Sequence, residues 1–581
     1  MSRRYFGKIV GGGLTGGLRG IICMGENIED YPVGAMVSIV GRTHRYLAMI
    51  TDVRIESTDA TVGSIMSARI PTDVKEITIN ALEPHISSKW IELALIAQSD
   101  EKEIKNADTV PSFYSDIVDV GAEDIKCFFG GEDMYRRWNI GRPKTPKGVE
   151  VEIPIDVEKL VELSFGIFGK SGTGKTFLGN IIAGYIVMFD LIRAERDPFE
   201  KRIKLLIFDM HSEYALELRD NMGNIIADGV AKIFSENFIR YTPDVELAKE
   251  RGLRMLRINY GELTVDDIRL ILPMFGVSGA FSSYLPDYRN ILARKIGLGD
   301  LWVWGLIIDE HVEERLQDSR EGRTILDEIS KRTGTDVRGL RTRILQTIRR
   351  EIGLAAELSF RAQTAKLRAL INYPYTARES QIDEIVNNLT SRNGSHITIS
   401  LGRYEKETPL YMIIANLIAR RLRQRILKKS VAGEELETKI VIFLEEAHNF
   451  LGKETYRLSP FGAIAREMRK KGVMLCVIDQ KPGELDSDVI SMLWTNFVFT
   501  LTDRNDIEAA LMGAPRKELL KKIIEILGRR EVLIYGEGVT FPVVIRVRDY
   551  GDVARIFEHF AKRMTQIVEE RVEHLREHGF V

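Results

Sequence analysis

At 581 residues the chain is too long for one hydrophobic core, and at ~150 residues per domain it predicts three or four units. Hydrophobic content of 44% and charged content of 29% are ordinary for a soluble globular protein. A net charge of −2 excludes a bulk electrostatic pull toward nucleic acid or anionic membrane, so such a partner has to be argued from a local patch.

Cys23, Cys127 and Cys476 lie far apart with no CxxC pair, which argues against a disulfide framework or zinc site and for a reducing interior. The start "MSRRYFGKIVGGG" lacks the apolar core of a signal peptide, and no stretch reaches ~18 uninterrupted apolar residues. The expectation is a cytoplasmic protein with no membrane partner.

In chain order, residues 1–100 read as short strands with Gly-rich breaks, such as "AMVSIVG" (35–41) and "RYLAMITDVRI" (45–55), and predict a small β-barrel. The charged, Pro-containing stretch 101–150 reads as a connection. From 151 continuous apolar runs alternate with helical patterns: "FGIFG" (165–169), "IKLLIFDMH" (203–211), "KIVIFLEE" (439–446), "GVMLCVID" (472–479) and "NFVFTLTD" (496–503). Runs of this kind predict a parallel sheet covered on both faces, an α/β core in two parts, 151–244 and 391–550. Residues 245–390 are mainly helical in pattern and read as an insertion. At 551–581, Val553, Ile556, Phe557, Phe560, Met564, Ile567, Val568, Val572 and Leu575 share one face of an amphipathic helix.

"GKSGTGKT" (169–176) fits G-x-x-x-x-G-K-[ST], follows an apolar strand and opens a helix. Gly169, Lys170, Ser171, Gly172, Thr173, Gly174, Lys175, Thr176 and the next residue, Phe177, are therefore the candidate nucleotide-binding residues. The glycines let backbone N–H groups curl around phosphate oxygens at a helix N-terminus. Lys175 would reach the β- and γ-phosphates of ATP, and the Thr176 hydroxyl would ligate Mg²⁺. "IVIFLEEAHNF" (440–450) ends a strand in two adjacent acids. Beside a phosphate loop, Glu445 suits the Mg²⁺-holding role and Glu446 the orientation of the attacking water; without that loop they would read as a solvated helix start. "DMHSEY" (209–214) offers Asp209, His211 and Glu213 at another strand end, in a ligand crevice or a solvated turn. Gln480 in "VIDQKPGELD" is a candidate γ-phosphate sensor. In "AIAREMRKKG" (463–472) Arg466 or Arg469 could act on a neighbouring subunit, a solvated helix face being the plainer reading of either.

These motifs, in order, resemble the HerA-type DNA translocases of the FtsK/HerA branch of P-loop ATPases. "GKIVGGGLTGGL", "VGAMVSIVG" and "RYLAMITDV" resemble that family's β-barrel; "FGIFGKSGTGKTFL", "LEEAHNF", "AREMRKKGV" and "DQKPGELD" its ATPase motifs; "GEGVTFPVVIRV" (536–547) its closing β-segment. The resemblance implies a RecA-like core and a homo-hexameric ring that moves double-stranded DNA with ATP. It also implies a NurA-like nuclease or other effector as partner, in DNA end resection or phage defence. It assigns Lys175 and Thr176 to nucleotide and metal, Glu445 and Glu446 to the acidic pair, Gln480 to the sensor, and Arg469 or Arg466 to the trans-acting arginine. The chain departs from the archaeal pattern at Leu163 and Ser164, where an Arg-His pair is common, and at Ser212 and Met468, where glycine is usual.

Two other readings stand beside the DNA motor: a ring that remodels protein, and a scaffold whose hydrolysis gates an attached effector. For DNA, Arg338, Arg341, Arg343, Arg349 and Arg350 are candidate contacts, with a surface-exposed insertion slightly preferred as their explanation. The acidic clusters show no nuclease constellation, so DNA cutting is expected of a partner.

Overall fold

The computed structural model describes residues 4–57, 87–100, 103–133, 135–220 and 222–577. The chain forms two compact units, Met1–Arg196 with Val477–Ile556, and Asp197–Cys476 with Phe557–Val581.

The first unit opens with seven strands: β1 (Tyr5–Gly13), β2 (Gly17–Ile22), β3 (Met36–Val40), β4 (Arg45–Ser57), β5 (Ser87–Ser99), β6 (Ile104–Asn106) and β7 (Asp116–Asp119). They pair in the order β2-β1-β7-β3-β4-β5-β6, and a further β2–β5 pairing closes six of them into a barrel. Inward residues Phe6, Leu18, Val37, Ile39, Ile50, Ile91, Leu93 and Ile117 fill it. The β1–β2 hairpin needs Gly12: its φ is +105°, and a Cβ there would lie 2.4 Å from the Gly17 carbonyl oxygen. Residues 58–86 of the expected barrel lie outside the described residues.

The stretch expected as a connection is built into both sheets of this unit. β7 lies between β1 and β3 in the barrel, and Arg137–Pro143 pairs with Val543–Val547. Four-residue strands such as "DIVD" are too short to show alternation, which is why composition made 101–150 look like a linker. The unit's second sheet runs Phe165–Phe168, Thr495–Val498, Glu531–Gly536, Val543–Val547, Arg137–Pro143, Ile153–Asp156. Its first pair is parallel and the rest antiparallel.

The second unit holds a five-stranded parallel sheet in the order Arg254–Met255, Phe238–Thr242, His396–Ser400, Arg202–Asp209, Thr438–Glu445. Its central strands are buried along nearly their whole length, and two of them, Arg202–Asp209 and Thr438–Glu445, carry apolar runs. Residues 245–390 are helical apart from Arg254–Met255, which lies inside the expected insertion but joins the sheet. The chain is thus α/β, with a parallel-sheet core, a small N-terminal barrel and a helical segment.

The helix Tyr550–Glu577 buries Val553 and Phe557 and leaves Ile556 exposed. Val568, Val572 and Leu575 of its expected apolar face lie outside the described side chains. Among the described residues one helix, Lys175–Arg196, is long and apolar enough to cross a membrane, and its residues Leu178–Asp190 are buried within the protein.

Met468 is fully buried, between the helix Pro460–Glu467 and the turn Arg469–Lys471. The side chain that replaces the usual glycine is thus a core residue. Met468→Ala is expected to cost about 2–5 kcal/mol, read as a lower urea midpoint with an unchanged slope.

Candidate nucleotide site

The strand Phe165–Phe168 runs into the loop 169–174 and the helix Lys175–Arg196. The Gly169 N–H donates to the Asp479 carbonyl (3.2 Å) and the Lys170 N–H to Thr500 (3.2 Å), so two other chain segments fix the loop's entry. A Cβ at Gly169 would lie 2.5 Å from Phe499 Cβ, which leaves glycine as the fitting residue there. Lys175 Nζ donates to the carbonyls of Gly169 (2.7 Å) and Lys170 (2.9 Å), and Thr173 Oγ1 donates to Lys170 (2.8 Å). The ammonium is thus folded over the loop that would cradle phosphate. Ser171 and Gly172 are exposed at the tip, and Thr176 is half-buried in the first helical turn, where Asn180 Nδ2 donates to its carbonyl (3.0 Å).

Gln480 follows the strand Val473–Asp479, so the contact between Gly169 and Asp479 brings this residue to the start of the phosphate loop. The Asp479 carboxylate is buried and accepts from the Lys481 N–H (2.8 Å).

Beside the loop is a small hollow lined by Gly174, Phe177, Phe499, Arg530, Val547, Arg548 and Tyr550. The Phe177 and Tyr550 rings lie 6.2 Å apart, the Arg530 N–H donates to the Thr173 carbonyl (3.3 Å), and Arg530 pairs with Asp549 (2.7 Å). Sequence reasoning singled out Gly174 and Phe177 for the site and did not single out the others. They sit far along the chain in no phosphate motif; Val547 ends the closing β-segment, and Arg548 and Tyr550 follow it.

In the second unit, strands Arg202–Asp209, His396–Ser400 and Thr438–Glu445 finish level: Asp209 pairs with Ser400 and Phe208 with Leu444. Asp209 and Glu445 therefore meet at the C-terminal edge of a parallel sheet, where such folds bind ligands. Asp209 accepts three backbone N–H bonds, from Glu213 (2.9 Å), Tyr214 (3.1 Å) and Ala215 (2.8 Å). Glu445 Oε2 accepts from the Met210 N–H (3.0 Å), and its carbonyl accepts from the Tyr411 hydroxyl (2.8 Å). Burial pushes the Asp209 carboxyl up to about 7, against the pull of its backbone donors. Burial, then Asp209 and Glu213, raise Glu445 well above the carboxylate range. Carboxylate oxygens are the donor type that a divalent cation takes.

The neighbouring acids are separated by backbone conformation. Glu445 ends the strand, buried; Glu446 has a φ of +46° and turns its half-buried side chain to His448, with 3.6 Å between Oε2 and Nδ1. Ser212 also has positive φ, +63°, which accounts for glycine at that place in the family pattern; its hydroxyl accepts from Ser400 (2.5 Å). His211 lies 3.8 Å from Glu405.

Arg466 and Arg469 are both exposed, on the helix Pro460–Glu467 and the following turn. The Arg466 guanidinium lies 4.8 Å from the Tyr456 ring centre. Of the five arginines offered as DNA contacts, Arg341 turns inward, donating to Thr364 Oγ1 (2.7 Å), and Arg343, though exposed, donates to the Thr333 carbonyl (3.1 Å). Arg338, Arg349 and Arg350 remain exposed.

Residues 138–422 match the family model of the helicase HerA central domain. A "DNA double-strand break repair helicase HerA" of Pyrococcus furiosus is 31% identical over 118 residues, 20% of this chain and 21% of that protein. The protein of the same name from Sulfolobus acidocaldarius is 27% identical over 172 residues, 29% of this chain and 35% of its own length. The chain thus spans between about a fifth and about a third of these curated relatives. Among solved structures, the bacterial conjugative coupling protein TrwBdeltaN70 is 12% identical with a TM-score of 0.40, over 74% of this chain and 92% of that one. VirB4 of Thermoanaerobacter pseudethanolicus is 14% identical with a TM-score of 0.38, over 72% and 98%. With a phosphate loop of the required build and this central-domain match, the chain is similar to the HerA-type P-loop ATPases.

Proposed function

We propose that the chain is the ATP-hydrolysing subunit of a homo-hexameric ring that translocates along double-stranded DNA. In this reading the ring works in the cytoplasm with a NurA-like nuclease or other effector, in DNA end processing or phage defence. The observation that carries the nucleotide part is the phosphate loop, fixed at its entry and opening a buried helix. The DNA part draws support from the relatives' names as break-repair helicases.

The loop's N–H groups would hold the phosphates of ATP, with Lys175 exchanging its loop carbonyls for phosphate oxygens. Thr176 and Glu445 would hold Mg²⁺, which supplies charge neutralisation on the phosphates when bound. Glu446 would orient the attacking water, Gln480 would register the γ-phosphate, and Arg469 or Arg466 would reach a neighbouring subunit's site.

The test is the steady-state ATPase rate with and without linear duplex DNA, with Glu446→Gln as the blank. Stimulation that vanishes in the variant is the expected result. Hydrolysis indifferent to DNA would overturn the motor reading in favour of a partner-gated scaffold or protein remodeller.

A further inference from the structure

Residues 337–370 carry eight lysines and arginines against two glutamates, in a chain whose net charge is −2. They form the helices Val337–Ile352 and Leu354–Gln363 and the turns that follow. Packing selects from these cations a group that is not contiguous in sequence. Arg349 lies 3.9 Å and Arg361 2.9 Å from Glu357, Arg368 lies 2.5 Å from Asp309, and Arg338 lies 2.7 Å from Glu310. Arg341 underlies them, its guanidinium 4.9 Å from the Phe360 ring centre and its buried Nη1 without an acceptor.

Four of these guanidinium groups share Glu357, Asp309 and Glu310 as direct partners, and Asp336 and Glu313 add negative charge beside Arg338. Burial lowers Arg341 from its ordinary value, Asp309 opposes this, and Arg368 and Arg361 add to it. The outer four remain open to solvent, with side-chain exposures of 79% for Arg338, 64% for Arg349, 62% for Arg361 and 44% for Arg368.

We infer that Arg338, Arg349, Arg361 and Arg368 form a sequence-independent contact surface for the phosphate backbone of duplex DNA. Arg338 and Arg349 lie eleven residues apart on one helix, about 16 Å along its axis. Over that length a duplex presents roughly ten charges, at one per ~1.7 Å. Guanidinium forks match phosphate oxygens two at a time, and their lighter hydration makes them easier to desolvate than ammonium groups. The surface offers the charge of backbone grip, and it deepens the DNA reading proposed above, on which it rests.

The test uses the full-length protein and a variant carrying Arg338→Gln, Arg349→Gln and Arg368→Gln, which keeps the Arg361–Glu357 pair. Duplex affinity is measured across a salt series, with ATPase in the absence of DNA as a check on the fold. The slope of log affinity against log salt is expected to flatten by about 2–3, at roughly 0.9 per lost phosphate contact, with DNA-free ATPase unchanged. Lysine at the same three positions is expected to restore most of the slope. Wild-type protein that binds no duplex would overturn the DNA reading and this surface with it. Wild-type binding with an unchanged slope in the variant would overturn the surface alone. Polyglutamate that displaces duplex from the wild type, charge for charge, would reassign the surface to an acidic protein.

Discussion

Lys175→Ala is expected to lower ATP turnover by about two to three orders of magnitude, in the presence or absence of DNA, while the circular dichroism spectrum stays unchanged. The loss corresponds to about 2.7–4 kcal/mol, typical of removing one preorganised charge-stabilising donor. The side chain now donates to two carbonyls of its own loop, so it is positioned at the phosphate cradle before nucleotide arrives. The fold does not depend on it for its core, which is built from the apolar residues of the strand before it and the helix after it. The same variant tests the ring. If Arg469 acts on a neighbour, subunits carrying Lys175→Ala mixed with subunits carrying Arg469→Ala should recover measurable hydrolysis. Each kind of subunit supplies the group that the other lacks. Mixed rings without recovery would reject the trans role.

The second large effect is expected at Glu446. Glu446→Gln should lower kcat by about 10²–10⁴-fold with nucleotide affinity preserved, as for the loss of a positioned base. Shape is kept and one ionisable oxygen is lost, so the change isolates chemistry. The backbone there is left-handed, a conformation that costs an ordinary residue about 1–2 kcal/mol. Glu446→Gly would remove that strain together with the carboxylate. A glycine variant that is more stable yet equally inactive would show that the strained turn is kept for what the carboxylate does. An active Gln variant would reject the assignment, and Asp209 or Glu445 would become the candidates.

Legibility followed how far apart along the chain the cooperating residues lie. The phosphate loop is eight contiguous residues with a strand before and a helix after, so "GKSGTGKT" was readable with both flanks. The acidic strand end was readable because a buried strand seldom ends in two carboxylates without a reason. "DMHSEY" was half readable: Asp209 was singled out, but its level with Glu445 is a matter of strand register, which sequence does not carry. Arg530 and Tyr550 had no local pattern at all and reach the phosphate loop through tertiary packing. The arginines show the same limit from the other side. Their density was plain, while the packing that turned Arg341 inward and brought Arg361 and Arg368 into the group was not.

The closure of the N-terminal barrel through β2 and β5 has a consequence for how partners could be exchanged. Where strands end by pairing with each other, those strands offer no free ladder to which another protein could add its own strand. A protein docking on the closed wall would have to read side chains. Side chains on an outer β-surface can be substituted without disturbing the packed interior, at costs usually within about 0.5 kcal/mol. The module can therefore keep its architecture while the residues on its outer face change.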